Sequence, residues 1–340
     1  MTITRLWQSG AEWNEIGLEW DSVSGAVASS TRARTGTYGF RASGQDYMRK
    51  TIPGSALAQA RVSFHINHSG VALGTPRLVA LRSGSTYVAS AEYDAGGGNV
   101  VLKIGSTAVA TASAGALGSS STWIHCGLDV KLAASGGWIY FYLNGALAAS
   151  FDGDTSGAGS TVDGLQLASG SSMHQWTSFV FFDDIYLDSS VGESLPAALP
   201  DRRFVFVQPT AAGSNTEWTP LSGDNYAAVD ERPQDGDTTY VAATVADKVD
   251  TYGMANVTVD TGWQIVAAVA QAVAKKTDAS ASQFKFESLV GVDSASSSAV
   301  DLSTSYALYT DRQTSQPDAS DWNETDFNAA EFGVRSAGTF

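Results

Sequence analysis

The sequence predicts an all-β protein built as two β-sandwiches in series. Three observations carry that reading. Apolar runs are short, Gly, Ser, Asn and Asp interrupt them at spacings of ~8–12 residues, and the Pro-bearing stretch GESLPAALPDRR divides two such series near Gly192. With 340 residues the chain exceeds one ordinary sandwich and suits two units, each long enough to bury its own core.

The first series supplies eight strand-length runs: ARVSFHI (60–66), RLVALRS (77–83), TYVASAEYD (86–94), NVVLKIG (99–105), WIHCGLDVKL (123–132), GWIYFYLNGALAAS (137–150), VDGLQLA (162–168) and SFVFFDDIYLD (178–188). Asn144-Gly145 lies between two apolar stretches, and a type I′ hairpin turn needs φ > 0 at both central positions, so a hairpin tip is predicted there. The segments 95–99, 113–121 and 152–160, rich in Gly and Ser, are predicted as turns and surface loops. Pro196 and Pro200 cannot sit in a central strand, which makes 193–203 a linker between domains 1–192 and 204–340. Beyond it, runs at 204–209, 239–245, 255–259, 283–292 and 304–313 are again of strand length. The Ala-rich run 263–276 places Val, Ile and Ala on successive positions without a polar face, which favours a buried strand over a helix. Residues 321–334 favour one or two helical turns, with Asn323 or Thr325 as the cap, acidic residues in the first turn and Gly333 following.

Composition narrows the function. Charged residues are 16% of the chain, against roughly 25% in an average soluble domain. Net charge is −15, and the second half carries most of it: 9 basic and 20 acidic side chains lie in 196–340, against 11 and 15 in 1–195. Such a surface repels phosphate backbones and argues against a nucleic-acid partner. No run of 18 uncharged apolar residues suggests a membrane span, and the N-terminus lacks an apolar signal core, so a soluble protein without a secretion signal is expected. The single cysteine, Cys126, permits no intrachain disulfide, and its apolar neighbours suggest a small buried hydrophobe.

Particular residues resemble known proteins. The opening WQSGAEW, the segment TRARTGTYGFR (31–41), the hairpin WIYFYLNGALAA and the closing FFDDIYLD resemble a concanavalin A-like lectin/glucanase, or laminin-G-like, jelly roll over residues 3–190. That resemblance implies that the opening and closing segments are neighbouring strands. The whole chain resembles structural proteins of tailed bacteriophages, in which such a jelly roll precedes an acidic C-terminal region. The second resemblance implies a virion protein assembled in the bacterial cytoplasm, a capsid decoration, head fibre or tail fibre component that acts through interfaces with other virion proteins. It further implies a homo-oligomer, with a trimer favoured, and host-surface glycan binding by the jelly roll.

Glucanases of this fold need paired carboxylates ~5 Å apart on one strand face. Here the acids are Asp183, Asp184 and Asp188 with no Glu, and four strand residues separate Asp184 from Asp188 by roughly 13 Å. Asp183 and Asp184 are therefore expected as a structural acidic pair. In a regular strand they point to opposite faces, one to a backbone donor or a cation and the other to solvent. Calcium is a further candidate, at this pair or at DGDTSG (152–157), which offers carboxylates at i and i+2 but lacks a later acidic ligand. His65 and His68 fall on opposite strand faces, which argues against a zinc pair. The Ser-rich SGSSMHQ (169–175), with His174, is no nucleophile elbow, and no phosphate loop occurs. Catalytic, cofactor and metal residues are expected to be absent. Trp123, Trp138 and Trp176 near loop ends are candidate glycan or partner contacts, while Trp218 and Trp322 are ambiguous. The leading expectation is a non-enzymatic virion protein; the alternatives are a polysaccharide depolymerase and a pure lectin.

Overall fold

The computed structural model describes residues 4–52, 56–68, 72–113, 115, 117, 122–168, 175–189, 191 and 198–340. His174, Pro196, the Ser-rich stretch 169–174 and most of 113–121 lie outside them. The chain divides between Phe204 and Val205, and both parts are built of antiparallel sheets.

The first unit is a jelly-roll sandwich. One sheet has nine strands, ordered Ala146–Gly153, Gly137–Leu143, Ile124–Lys131, Gln59–His68, Gln175–Ser189, Gly39–Gly44 and Val27–Ser29, with Thr4–Ser9 and Ala72–Leu73 also pairing to Gln175–Ser189. The other has seven, ordered Thr107–Ala112, Asn99–Ile104, Thr86–Asp94, Arg77–Ser83, Gly164–Leu167, Tyr47–Thr51 and Ser22–Ser24. The opening strand Thr4–Ser9 runs antiparallel beside the closing strand Gln175–Ser189, with Ser9 opposite Ile185. Hydrophobic side chains at every second position meet between the sheets, among them Val62, Phe64, Ile66, Cys126, Leu128 and Phe182 from one, and Met48, Leu81, Val88 and Leu165 from the other. Cys126 is buried there, and desolvation pushes its thiol pKa up, which removes it as a nucleophile. At the predicted hairpin tip Asn144 and Gly145 both have positive φ, 48° and 81°.

The other face of the nine-stranded sheet is polar and also covered. Arg61, His65, His125, Asp129, Asp183 and Asp188 alternate with the core residues and are all buried. Arg61 pairs with Asp129 at 2.7 Å, and Arg5 pairs with Asp188. Residues 198–204, the described end of the expected linker together with Phe204, lie across this face. Ala198 bridges to Ala146, and the Leu199 N–H donates to the Gly145 carbonyl at 3.0 Å. A Cβ at Gly127 would stand 2.0 Å from Leu199 Cδ1, so glycine is required where the segment passes over that strand. Phe204 stacks on Tyr186 with centroids 4.9 Å apart and planes 6° apart.

The second unit has a six-stranded sheet, ordered Pro209–Thr216, Val249–Met254, Glu331–Gly338, Ser282–Val290 and Asp293–Ser296, with Val300–Asp301 also on Ser282–Val290. The run expected as a buried strand forms a strand over Ala268–Ala274, paired with Ala307–Gln313, but only Ala268 is buried and the rest of it is half-buried in a two-stranded sheet. Ala268, Trp322, Ala330 and Phe332 close a small core, which places Trp322 in the interior. A helix spans Glu324–Ala329, and its Asn323 cap accepts from the Asp326 N–H. Gly333, expected just past the helix, instead sits inside the strand Glu331–Gly338, where an added Cβ would stand 1.9 Å from the Asp250 carbonyl oxygen. Among the described residues no helix is long and apolar enough to cross a membrane.

Candidate functional site

The acidic pair sits in a β-bulge. Asp183 is opposite His65, but the next registered pair is Tyr186 with Ser63, so the closing strand carries one extra residue there. Asp184 takes up the excess at φ 48°, a left-handed conformation that aspartate tolerates better than most residues. Both carboxylates therefore turn to the polar face while Phe182 and Ile185 stay in the core. The expectation that one of them faces solvent fails for this reason, and both are fully buried.

Their partners come from two distant segments. Asp183 accepts from the backbone N–H groups of Arg34 at 2.7 Å, Thr35 at 3.3 Å and Asp184 at 2.7 Å. Asp184 accepts from Arg34 Nη1 at 2.6 Å, Thr35 Oγ1 at 2.8 Å and the Phe204 N–H at 2.7 Å. Arg34 continues across the face to Asp201 Oδ2 at 2.7 Å and the Arg202 carbonyl at 2.8 Å. Burial, and then the adjacent Asp184, push the Asp183 pKa up to about 8, while the Arg34 guanidinium bonds the Asp184 carboxylate. Asp184 and Arg34 anchor residues 198–204.

Beside this anchor, strand register places His125 directly opposite His65. Their rings stack with centroids 4.7 Å apart and planes 16° apart. His65 Nε2 lies 3.1 Å from Asp201 Oδ1, its Nδ1 lies 4.0 Å from Asp184 Oδ2, and His125 Nε2 lies 2.7 Å from Ser63 Oγ. Burial lowers the His65 pKa, and burial together with His65 pushes that of His125 down to about 4. Both rings are neutral at pH 7, so the His65–Asp201 contact is a hydrogen bond. One donor atom from each of His65, His125 and Asp201 lies within 4.8 Å of the others, the one such set of three among the described residues. His65 has His68 as its nearest histidine along the chain, but its cross-strand partner is His125, which only strand register reveals.

A shallow groove of about 630 Å³ opens elsewhere on this unit, lined by Thr31, Arg32, Thr37, Asn67 and Trp123 together with small residues at 30, 33 and 36. Trp123 is half-buried there. Arg32 bonds the Asn67 carboxamide oxygen and lies over the Phe181 ring at 5.4 Å. Of the other candidate tryptophans, Trp176 is corrected to a core residue, 2% exposed and stacked on Tyr93 at 5.7 Å. Trp138 is half-buried under the Lys131 ammonium, 4.7 Å from its ring. The structure brings none of these three together. The DGDTSG carboxylates also diverge: Asp152 accepts from the Tyr140 hydroxyl at 2.8 Å and Asp154 from the Ser156 N–H at 2.9 Å.

No protein-family model and no curated protein matches the sequence. Several solved structures are similar in part. The alginate lyase vAL-1 from Chlorella virus is 10% identical, with 51% of this chain and 93% of that chain covered at a TM-score of 0.36. Domain 4 of the arabinanase AbnA from Geobacillus stearothermophilus, in complex with arabinotriose, is 16% identical (55% and 81% covered, TM-score 0.35). A galectin-like protein of unknown function from Bacillus subtilis is 10% identical (55% and 98% covered, TM-score 0.38).

Proposed function

We propose that the first unit is a non-catalytic glycan-binding module and that the chain serves as a structural component of a tailed-phage particle, a decoration or fibre protein. The groove at Trp123 carries the glycan reading. A half-buried indole offers a flat apolar face to a sugar ring, and the exposed Thr31 and Thr37 and the half-buried Arg32 line the same groove. Its size falls within the ~300–1,000 Å³ of small-ligand sites. The commitment of Asp183 and Asp184 to Arg34, Thr35 and Phe204 supports a binding rather than a hydrolytic role. The virion assignment rests on the resemblance of the sequence to phage structural proteins and includes assembly with other virion proteins as a homo-oligomer, a trimer favoured.

The test is a glycan array probed with the full chain and with Trp123→Ala. Saturable binding that Trp123→Ala abolishes, with unchanged thermal unfolding, is expected; a blank array for the wild type refutes the glycan reading. Release of reducing ends from host polysaccharide by the wild type would replace it with the depolymerase alternative. Immunogold labelling of purified particles checks the virion assignment, which unlabelled particles would overturn.

A further inference from the structure

We infer that His65, His125 and Asp201 form a binding site for a divalent transition-metal ion, zinc by ligand chemistry, that fastens residues 198–204 to the nine-stranded sheet. The three ligands come from three separate places: the central strand Gln59–His68, its neighbour Ile124–Lys131, and the crossing segment. None is near another in sequence, yet one donor atom of each lies within 4.8 Å of the others.

Bonds of 2.0–2.1 Å in a tetrahedral zinc site place ligand atoms about 3.4 Å apart. His65 Nε2 and Asp201 Oδ1 are already 3.1 Å apart, so only the His125 ring must move in, by a tilt out of its stack on His65. Asp201 keeps Oδ2 for Arg34 at 2.7 Å and offers Oδ1 to the ion. With Nε2 of His65 on the metal, its ring proton resides on Nδ1, 4.0 Å from Asp184 Oδ2 and unpartnered in a side chain only 3% exposed. A ligating imidazole characteristically donates its second nitrogen to such a carboxylate. Charge agrees: the carboxylates of Asp184 and Asp201 converge on the single Arg34 guanidinium, and a cation beside them relieves the excess. Two imidazoles and one carboxylate select zinc or a neighbouring transition metal over calcium, and leave a fourth position for water.

The full chain, stripped with chelator and dialysed, is titrated with zinc chloride by calorimetry, in wild type, His125→Ala and Asp201→Asn. One high-affinity equivalent is expected in the wild type, weakened about tenfold or more in each variant. Cobalt(II) should give visible d–d absorption in the wild type alone. Asp201→Asn guards against misfolding, since its side chain is 44% exposed, and unfolding without metal confirms that both variants are folded. Zinc should also slow tryptic cleavage after Arg202 and Arg203 in the wild type and not in Asp201→Asn. Absence of zinc uptake by the wild type, or equal uptake by all three proteins, overturns the inference.

Discussion

Replacing Arg34 with methionine removes the one guanidinium that ties the acidic bulge to the crossing segment. Asp184 is wholly buried and Arg34 is 12% exposed, so the substitution leaves a buried carboxylate with only Thr35 Oγ1 and the Phe204 N–H as donors. Breaking a buried pair from one side costs ~3–5 kcal/mol. The contact to Asp201, a 44% exposed partner, adds at most about 1 kcal/mol because water screens it. A loss of about 3 kcal/mol is therefore the conservative expectation, equivalent to a fall in Tm of roughly 6–12 °C for a unit of this size. Calorimetric unfolding of the full chain measures it, and tryptic cleavage after Arg202 and Arg203 should accelerate as 198–204 lifts. Adding Asp184→Asn should recover part of the loss, since no orphan charge then remains. A Tm within 2 °C of wild type, or unchanged cleavage, would refute the claim that this pair anchors the segment.

Two further outcomes follow from buried groups. Glu19 is 4% exposed and bonded by the Ser9 hydroxyl at 2.8 Å; burial pushes its pKa from 4.5 up to about 7. The folded state thus holds its proton more tightly than the unfolded chain. The stability this confers is complete below pH 4.5 and is lost as pH rises through about 7, by up to roughly 3 kcal/mol; Glu19→Gln should flatten that slope in urea titrations between pH 5 and pH 8, and an unaltered slope would exclude Glu19 as its source. Trp176→Ala should cost ~3–5 kcal/mol as a core truncation while leaving array binding intact, the reverse of Trp123→Ala.

Much of the fold was legible. The Asn144-Gly145 tip, the strand at 268–274 and the Asn323 cap depend on local turn chemistry and side-chain period, while the neighbouring opening and closing strands followed from the jelly-roll resemblance. The site was legible only in part. Asp183 and Asp184 stood out as an acidic interruption in an aromatic strand, but the extra residue in the bulge reverses the face of Asp184. Trp176 and Trp123 look alike in sequence, since each lies beside a loop, and only packing separates the buried ring from the half-buried one.

The sequence alone determined the all-β class and the alternation that builds one buried face per strand, because these follow from residue type and period. Tertiary structure decided that the opposite face of the nine-stranded sheet is covered as well. It did so by joining Arg34, His65, His125, Asp184 and Asp201, which lie up to 167 positions apart, through strand register and a crossing segment. Such contacts depend on how strands align and on which loop returns over them, and nothing in the neighbourhood of any one of these residues records that.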